Sequence, residues 1–131
     1  MGARLKYAKV VDRDLFLRTG GEVKPGLDNR VEVHGDAPAK AATFTIRREW
    51  YDVDGAFTES WSLQDPHGRT VYEGLDREVV GGNSELVDEI DDMVFEYADS
   101  GYQLVLAVDG REVARAEFDV VEVPPEAGLI S

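Results

Sequence analysis

Apolar and polar residues alternate along most of this chain with the period of a strand, not of a helix. Leu5 to Val11 is the first such run, and Leu15-Phe16-Leu17 reads as its continuation beyond Asp12-Arg13-Asp14. Thr19-Gly20-Gly21 and Lys24-Pro25-Gly26 are turn material. Val31 and Val33 alternate with Arg30 and Glu32 in a half-buried strand that Asp36-Ala37-Pro38 ends. Phe44, Ile46, Arg48 and Trp50 then share one face, as do Phe57, Glu59, Trp61 and Leu63. Asp54-Gly55 between the two runs predicts a tight hairpin that pairs Ile46 with Leu63, Arg48 with Trp61 and Trp50 with Glu59. That register is self-consistent, because apolar residues meet apolar residues on one face.

Downstream, Asp65-Pro66-His67-Gly68 is a turn before a short strand from Arg69 to Tyr72, and Gly81-Gly82-Asn83 breaks the chain again. Leu86, Ile90, Met93 and Tyr97 lie at helical spacing, so a short turn or helical piece is expected near 84–92, followed by a strand from Met93 to Tyr97. Leu86, Ile90 and Val94 also fit a strand face, which Asp88 and Asp92 interrupt. Tyr102, Leu104 and Leu106 face inward on the next run, and Ala114, Ala116, Phe118 and Val120 on the return. A plain two-residue turn at Asp109-Gly110 gives the wrong parity. A three-residue loop, Val108-Asp109-Gly110, restores it, pairing Leu104 with Ala114 and Tyr102 with Ala116 and holding Gly110 at positive φ.

The spacing of these runs favours a sandwich or a barrel, and the expected architecture is all-β, an antiparallel two-sheet sandwich, with Ile46, Trp50, Trp61, Leu63, Leu104, Leu106 and Phe118 in its core. With 131 residues, 43% of them hydrophobic, one domain over 1–125 accounts for the chain, leaving 126–131 as a loose tail after Pro124-Pro125. There is no solenoid repeat, no low-complexity tract and no apolar run long enough for a membrane helix or a signal peptide. Without cysteine there are no disulfides and no thiolate metal sites, which fits a reducing cytoplasm.

Asp and Glu number 27 against 14 Lys and Arg, a net charge of −13. Such a field repels nucleic acid and anionic membranes, so neither is expected as a partner. An acid-rich, lysine-poor surface resembles proteins of salt-adapted organisms; a nucleic-acid mimic is a sharper reading of the same charge.

Candidate chemistry is sparse. His34 and His67 are the only bases for a Ser-His-Asp arrangement, and neither stands in a motif. Asp52-Val53-Asp54-Gly55 resembles the start of a calcium loop, but the position for the bidentate glutamate falls on Trp61. Asp88, Glu89, Asp91 and Asp92 could hold a hard cation, though a solvated face is the plainer reading. Gly81-Gly82 lacks the lysine of a phosphate loop. Arg47-Arg48 is an adjacent basic pair, and alternation turns Arg48 inward beside Trp61 with Glu59 diagonal to it. No catalytic, cofactor-binding or metal-binding residues are assigned, and the chain is not expected to be an enzyme.

Three stretches carry a resemblance. Asp99-Ser100-Gly101-Tyr102 entering Gln103 to Val108 looks like the turn before a late strand of immunoglobulin-like sandwiches. Asp65 to Tyr72 is similar to the turn-and-strand of macroglobulin-type and bacterial immunoglobulin-like domains, as is the hairpin from Val108 to Val113. The antibody cysteine pair is missing, and Trp50 and Trp61 are candidates for a core tryptophan. The resemblance implies an immunoglobulin-like β-sandwich and, with it, binding, adhesion or scaffolding through another protein. The alternatives are an acidic inhibitor mimicking nucleic acid, or a small-ligand-binding or hydrolytic domain with a pocket lined by Trp50, Trp61, His34 or His67.

Overall fold

A computed structural model describes residues 4–12 and 29–123. The expected strand at Leu15-Phe16-Leu17, the turns at 19–21 and 24–26, and the tail at 126–131 lie outside the described residues. Among the described residues every regular element is a strand: β1 (Arg4–Asp12), β2 (Arg30–His34), β3 (Ala39–Lys40), β4 (Phe44–Gln64), β5 (Thr70–Glu73), β6 (Arg77–Ile90), β7 (Val94–Phe95), β8 (Ser100–Val108) and β9 (Arg111–Val123).

The main sheet has seven strands in the order β1-β2-β9-β8-β4-β5, with β6 also on β4, and a contact of β1 with β4 closes the path on itself. β3 and β7 form a separate two-stranded sheet. β4 makes the closure possible. Its first part, Phe44 to Tyr51, pairs with β1, and its last part, Glu59 to Gln64, pairs with β8. The two parts face each other, so Phe44, Ile46 and Val10 share one core with Leu63, Leu104, Leu106 and Phe118. Phe95 on β7 plugs the end of that core, at 5.7 Å from Phe44 and 5.1 Å from Tyr102 between ring centres. A second cluster holds Trp50 edge-on to Phe57 at 5.2 Å, together with Val79.

All seven expected core residues are buried. The sheet, however, is mixed and not wholly antiparallel: β2 runs parallel to β9 from Arg30↔Asp119 to His34↔Val123, and parallel to β1 at Val11↔Arg30. Alternation sets which face a residue takes and is silent on strand direction.

The hairpin at Asp54-Gly55 does not form. β4 runs through it, and its long partner is β6, from Phe44↔Ile90 to Glu59↔Arg77, with irregularities between Trp50 and Ala56. Gly55 does take a left-handed φ of 82°. An Asp-Gly step serves a bulge as readily as a reversal, because both draw on the glycine's ease at positive φ. The facing of both runs is nevertheless as expected, with Arg48 and Glu59 buried among the apolar residues.

The helical piece near 84–92 is also absent, since β6 continues to Ile90. Gly81-Gly82-Asn83 falls inside that strand and does not break it. On β6, Leu86, Asp88 and Ile90 turn inward while Glu85, Val87 and Glu89 turn outward. Asp88 counts against a strand only while it lacks a partner, and the fold supplies several. Met93 to Tyr97 keeps strand pairing only at Val94–Phe95.

The β8–β9 connection meets the parity requirement by another device. Asp109 and Gly110 form a two-residue turn, both at positive φ (51° and 83°), closed by Val108↔Arg111. The extra residue is Val113, bulged between Ala107↔Glu112 and Leu106↔Ala114. Leu104 therefore lies opposite Ala116, and Tyr102 opposite Phe118, instead of the expected Ala114 and Ala116. Phe118 and Val120 are buried as expected.

Candidate functional site

The most concentrated chemistry lies where β4 bends between its two parts. Alternation sends Arg48 inward from one part and Glu59 from the other, so the two meet across the bend. Both are fully buried, and Glu59 takes a bidentate ion pair from Arg48, with Nε at 3.0 Å from Oε2 and Nη2 on Oε1. Trp50 Nε1 donates to Glu59 Oε2 at 2.6 Å. Arg48 Nη1 donates to the Ile46 carbonyl at 3.1 Å and lies 3.0 Å from Asp88 Oδ2. Asp88 also accepts Trp61 Nε1 at 2.8 Å and the guanidinium of Arg77. The guanidinium carbon of Arg48 sits 6.0 Å from the Trp61 ring centre, the expected Arg–aromatic contact. Two cations thus face two carboxylates, and every carboxylate oxygen of the pair has a donor. Such a group fixes geometry and leaves no base or nucleophile free for chemistry.

Trp61 also carries Tyr72 of β5, stacked at 5.6 Å and 15°. Gly74 passes so close that a β-carbon there would stand 2.1 Å from the indole. Beside it a shallow groove of about 250 Å³ is lined by Ser60, Ser62, Glu73, Asp76, Val105 and Trp61, among others. Of the four residues expected to line a ligand pocket, Trp61 alone reaches this groove.

The histidines are held apart by different surroundings. His34 ends β2. His67 sits in the turn after β4, edge-on to Tyr97 at 5.0 Å, and donates its backbone N–H to Asp65 Oδ1. That oxygen also accepts from Arg69 N at 2.9 Å, and these hydrogen bonds, that from Arg69 above all, hold the Asp65 carboxyl below its ordinary range. Asp52 to Gly55 belongs to β4 and so is not a loop around an ion. The acidic run divides: Asp88 turns inward to its cations, Glu89 outward, and Asp91 accepts from the Thr43 hydroxyl at 2.5 Å. Among the described residues no three His, Asp or Glu side chains gather as a metal site, and no helix is long and apolar enough to cross a membrane.

The surface feature that alternation did not reveal is an open edge. β6 is fourteen residues long and pairs with β4 along one side; among the described residues it has no strand on the other. Glu78, Val80, Glu85, Val87 and Glu89 are exposed along it. Val80 is 61% exposed, and Leu75, just before the strand, 84%. An open edge presents unpaired N–H and C=O groups to any extended chain. The signal was present as the Leu86/Ile90 strand periodicity, but without knowing that Asp88 has partners it pointed to a helix.

No protein-family model matches the chain, and no curated protein does. Among the solved structures that overlap its backbone are two of a β-glucosidase from Listeria innocua. With glucose bound the identity is 9% and the TM-score 0.49; the other gives 9% and 0.48. Each overlap covers 93% of this chain, which spans only 16% of that enzyme.

Proposed function

We propose that this chain is a non-catalytic interaction module, an immunoglobulin-like β-sandwich that binds another protein by accepting a strand at the open edge of β6. The observation that carries the reading is the edge itself, a long strand paired, among the described residues, on one side only. Main-chain groups along such an edge supply affinity, and alternate side chains supply selectivity. The exposed Val80, Val87 and Leu75 add apolar area for contact. The two facing parts of β4, with β1 beside one and β8 and β9 beside the other, support the sandwich description. The cysteine-free composition supports a cytoplasmic setting.

The test is hydrogen exchange on the protein bound to a partner captured from its native host. Amides of β6 are expected to gain protection, and capture is expected to fail for a Val80→Lys/Val87→Lys variant that keeps its circular dichroism. Protection confined to other strands, or equal capture by the variant, refutes the reading.

A further inference from the structure

The edge of β6 also has a pattern that selects among partners. From Glu78 to Asp92 the chain carries six acids and no Lys or Arg. In the half of β6 that pairs with the first part of β4 the outward positions are Glu85, Val87 and Glu89, all exposed. Successive residues of one face lie about 7 Å apart, so the two carboxylates stand roughly 13 Å apart with one valine between them. A strand added at this edge would set its own alternate residues opposite these three.

Resting on the reading of β6 as a docking strand, we infer that its occupant is an extended segment of another protein with Lys or Arg at two positions four residues apart and an apolar residue midway. Like charges directly opposite in a sheet are destabilising, and opposite charges stabilise by about 0.2–1 kcal/mol a pair. The same rule discourages a second copy. Antiparallel pairing of two β6 edges about Val87 sets Glu85 against Glu89 twice, and parallel pairing in register sets each glutamate against itself. The net charge of −13 on each copy adds to that repulsion. Glu85 keeps its place on the outer face because Tyr7, two strands away on β1, donates its hydroxyl to Oε2.

The experiment titrates the isotopically labelled full chain with three capped heptapeptides and follows backbone amides by NMR. The peptides are Thr-Lys-Thr-Val-Thr-Lys-Thr and its counterparts with Gln or Glu in place of Lys. The lysine peptide is expected to shift amides between Ser84 and Ile90, more weakly as salt rises. Reversing both charges, Glu85→Lys/Glu89→Lys, is expected to weaken the lysine peptide by about tenfold and to make the glutamate peptide the better ligand. Equal shifts from the glutamine peptide overturn the basic selectivity and leave strand addition standing. No shift of β6 by any peptide overturns both. Shifts of β6 that grow with protein concentration alone name a second copy as the occupant and overturn the inference.

Discussion

Removing the Glu59 carboxylate strands a buried cation. In Glu59→Ala, Arg48 keeps the Ile46 carbonyl and Asp88 but loses both of its bonds to Glu59, and Trp50 Nε1 loses its acceptor. Breaking a buried ion pair from one side costs about 3–5 kcal/mol, and an orphaned indole N–H about 1–3 kcal/mol more. Asp88 offsets part of this, so we expect a loss of about 4 kcal/mol. Arg48→Met leaves Glu59 with the indole N–H alone and should cost a similar amount. The double variant Arg48→Met/Glu59→Leu removes both charges and fills the space, and such replacements are often close to neutral. The double should therefore cost far less than the sum of the singles, with a coupling of at least about 2 kcal/mol. Urea unfolding followed by tryptophan fluorescence suits the assay, because Trp50 and Trp61 both border the group. Additivity within about 0.5 kcal/mol would refute the claim that the pair acts as a unit.

Gly110→Val should destabilise by about 1–2 kcal/mol and Gly110→Asn by less, since φ is 83° there while space for a side chain is open; equal unfolding midpoints for the two would contradict this. Gly74→Ala should cost about 1–3 kcal/mol and change tryptophan emission, because the Trp61 indole must move; an unchanged melting temperature would show that β5 simply lifts away. Raising sodium chloride from low to molar concentration should raise the melting temperature by screening 13 excess negative charges, and a steady fall would mean that ion pairs outweigh the net repulsion. The Tyr7 phenol is pushed up to about 12 by burial first, then by its hydrogen bond to Glu85 and the nearby negative charges. A raised phenol stabilises the fold fully below the unfolded value near 10 and loses that contribution as pH rises through about 12. Phenolate absorbance should show a late-titrating contribution that Tyr7→Phe reduces, leaving that of Tyr102, whose phenol burial also pushes up.

Facing was legible in the sequence and partnership was not. Period-two alternation placed Ile46, Arg48, Trp50, Glu59, Trp61 and Leu63 inside, and all are buried. It could not tell that β4 runs on through Gly55 as one bent strand instead of reversing into a hairpin, because a left-handed glycine suits a reversal and a bulge alike. Asp88 misled for a related reason. Its cost on a strand's inner face depends on Arg48, Trp61 and Arg77, residues that only the folded chain brings to it. The Gly110 turn shows the same division, since parity demanded one extra residue but a bulge at Val113 and a longer loop satisfy parity equally. The open edge of β6 follows from the whole pairing order, which no local pattern encodes.

Because β4 belongs to both facing parts of the sheet, neither part is a separable folding unit. A cut within β4 would divide the common core along the strand that joins its two walls. Fraying at β1 is transmitted to β8 through one covalent backbone and through the Arg48–Glu59 pair at its bend. The described residues should therefore lose their slowest-exchanging amides together, in one cooperative opening, with β4 reporting on both sides at once.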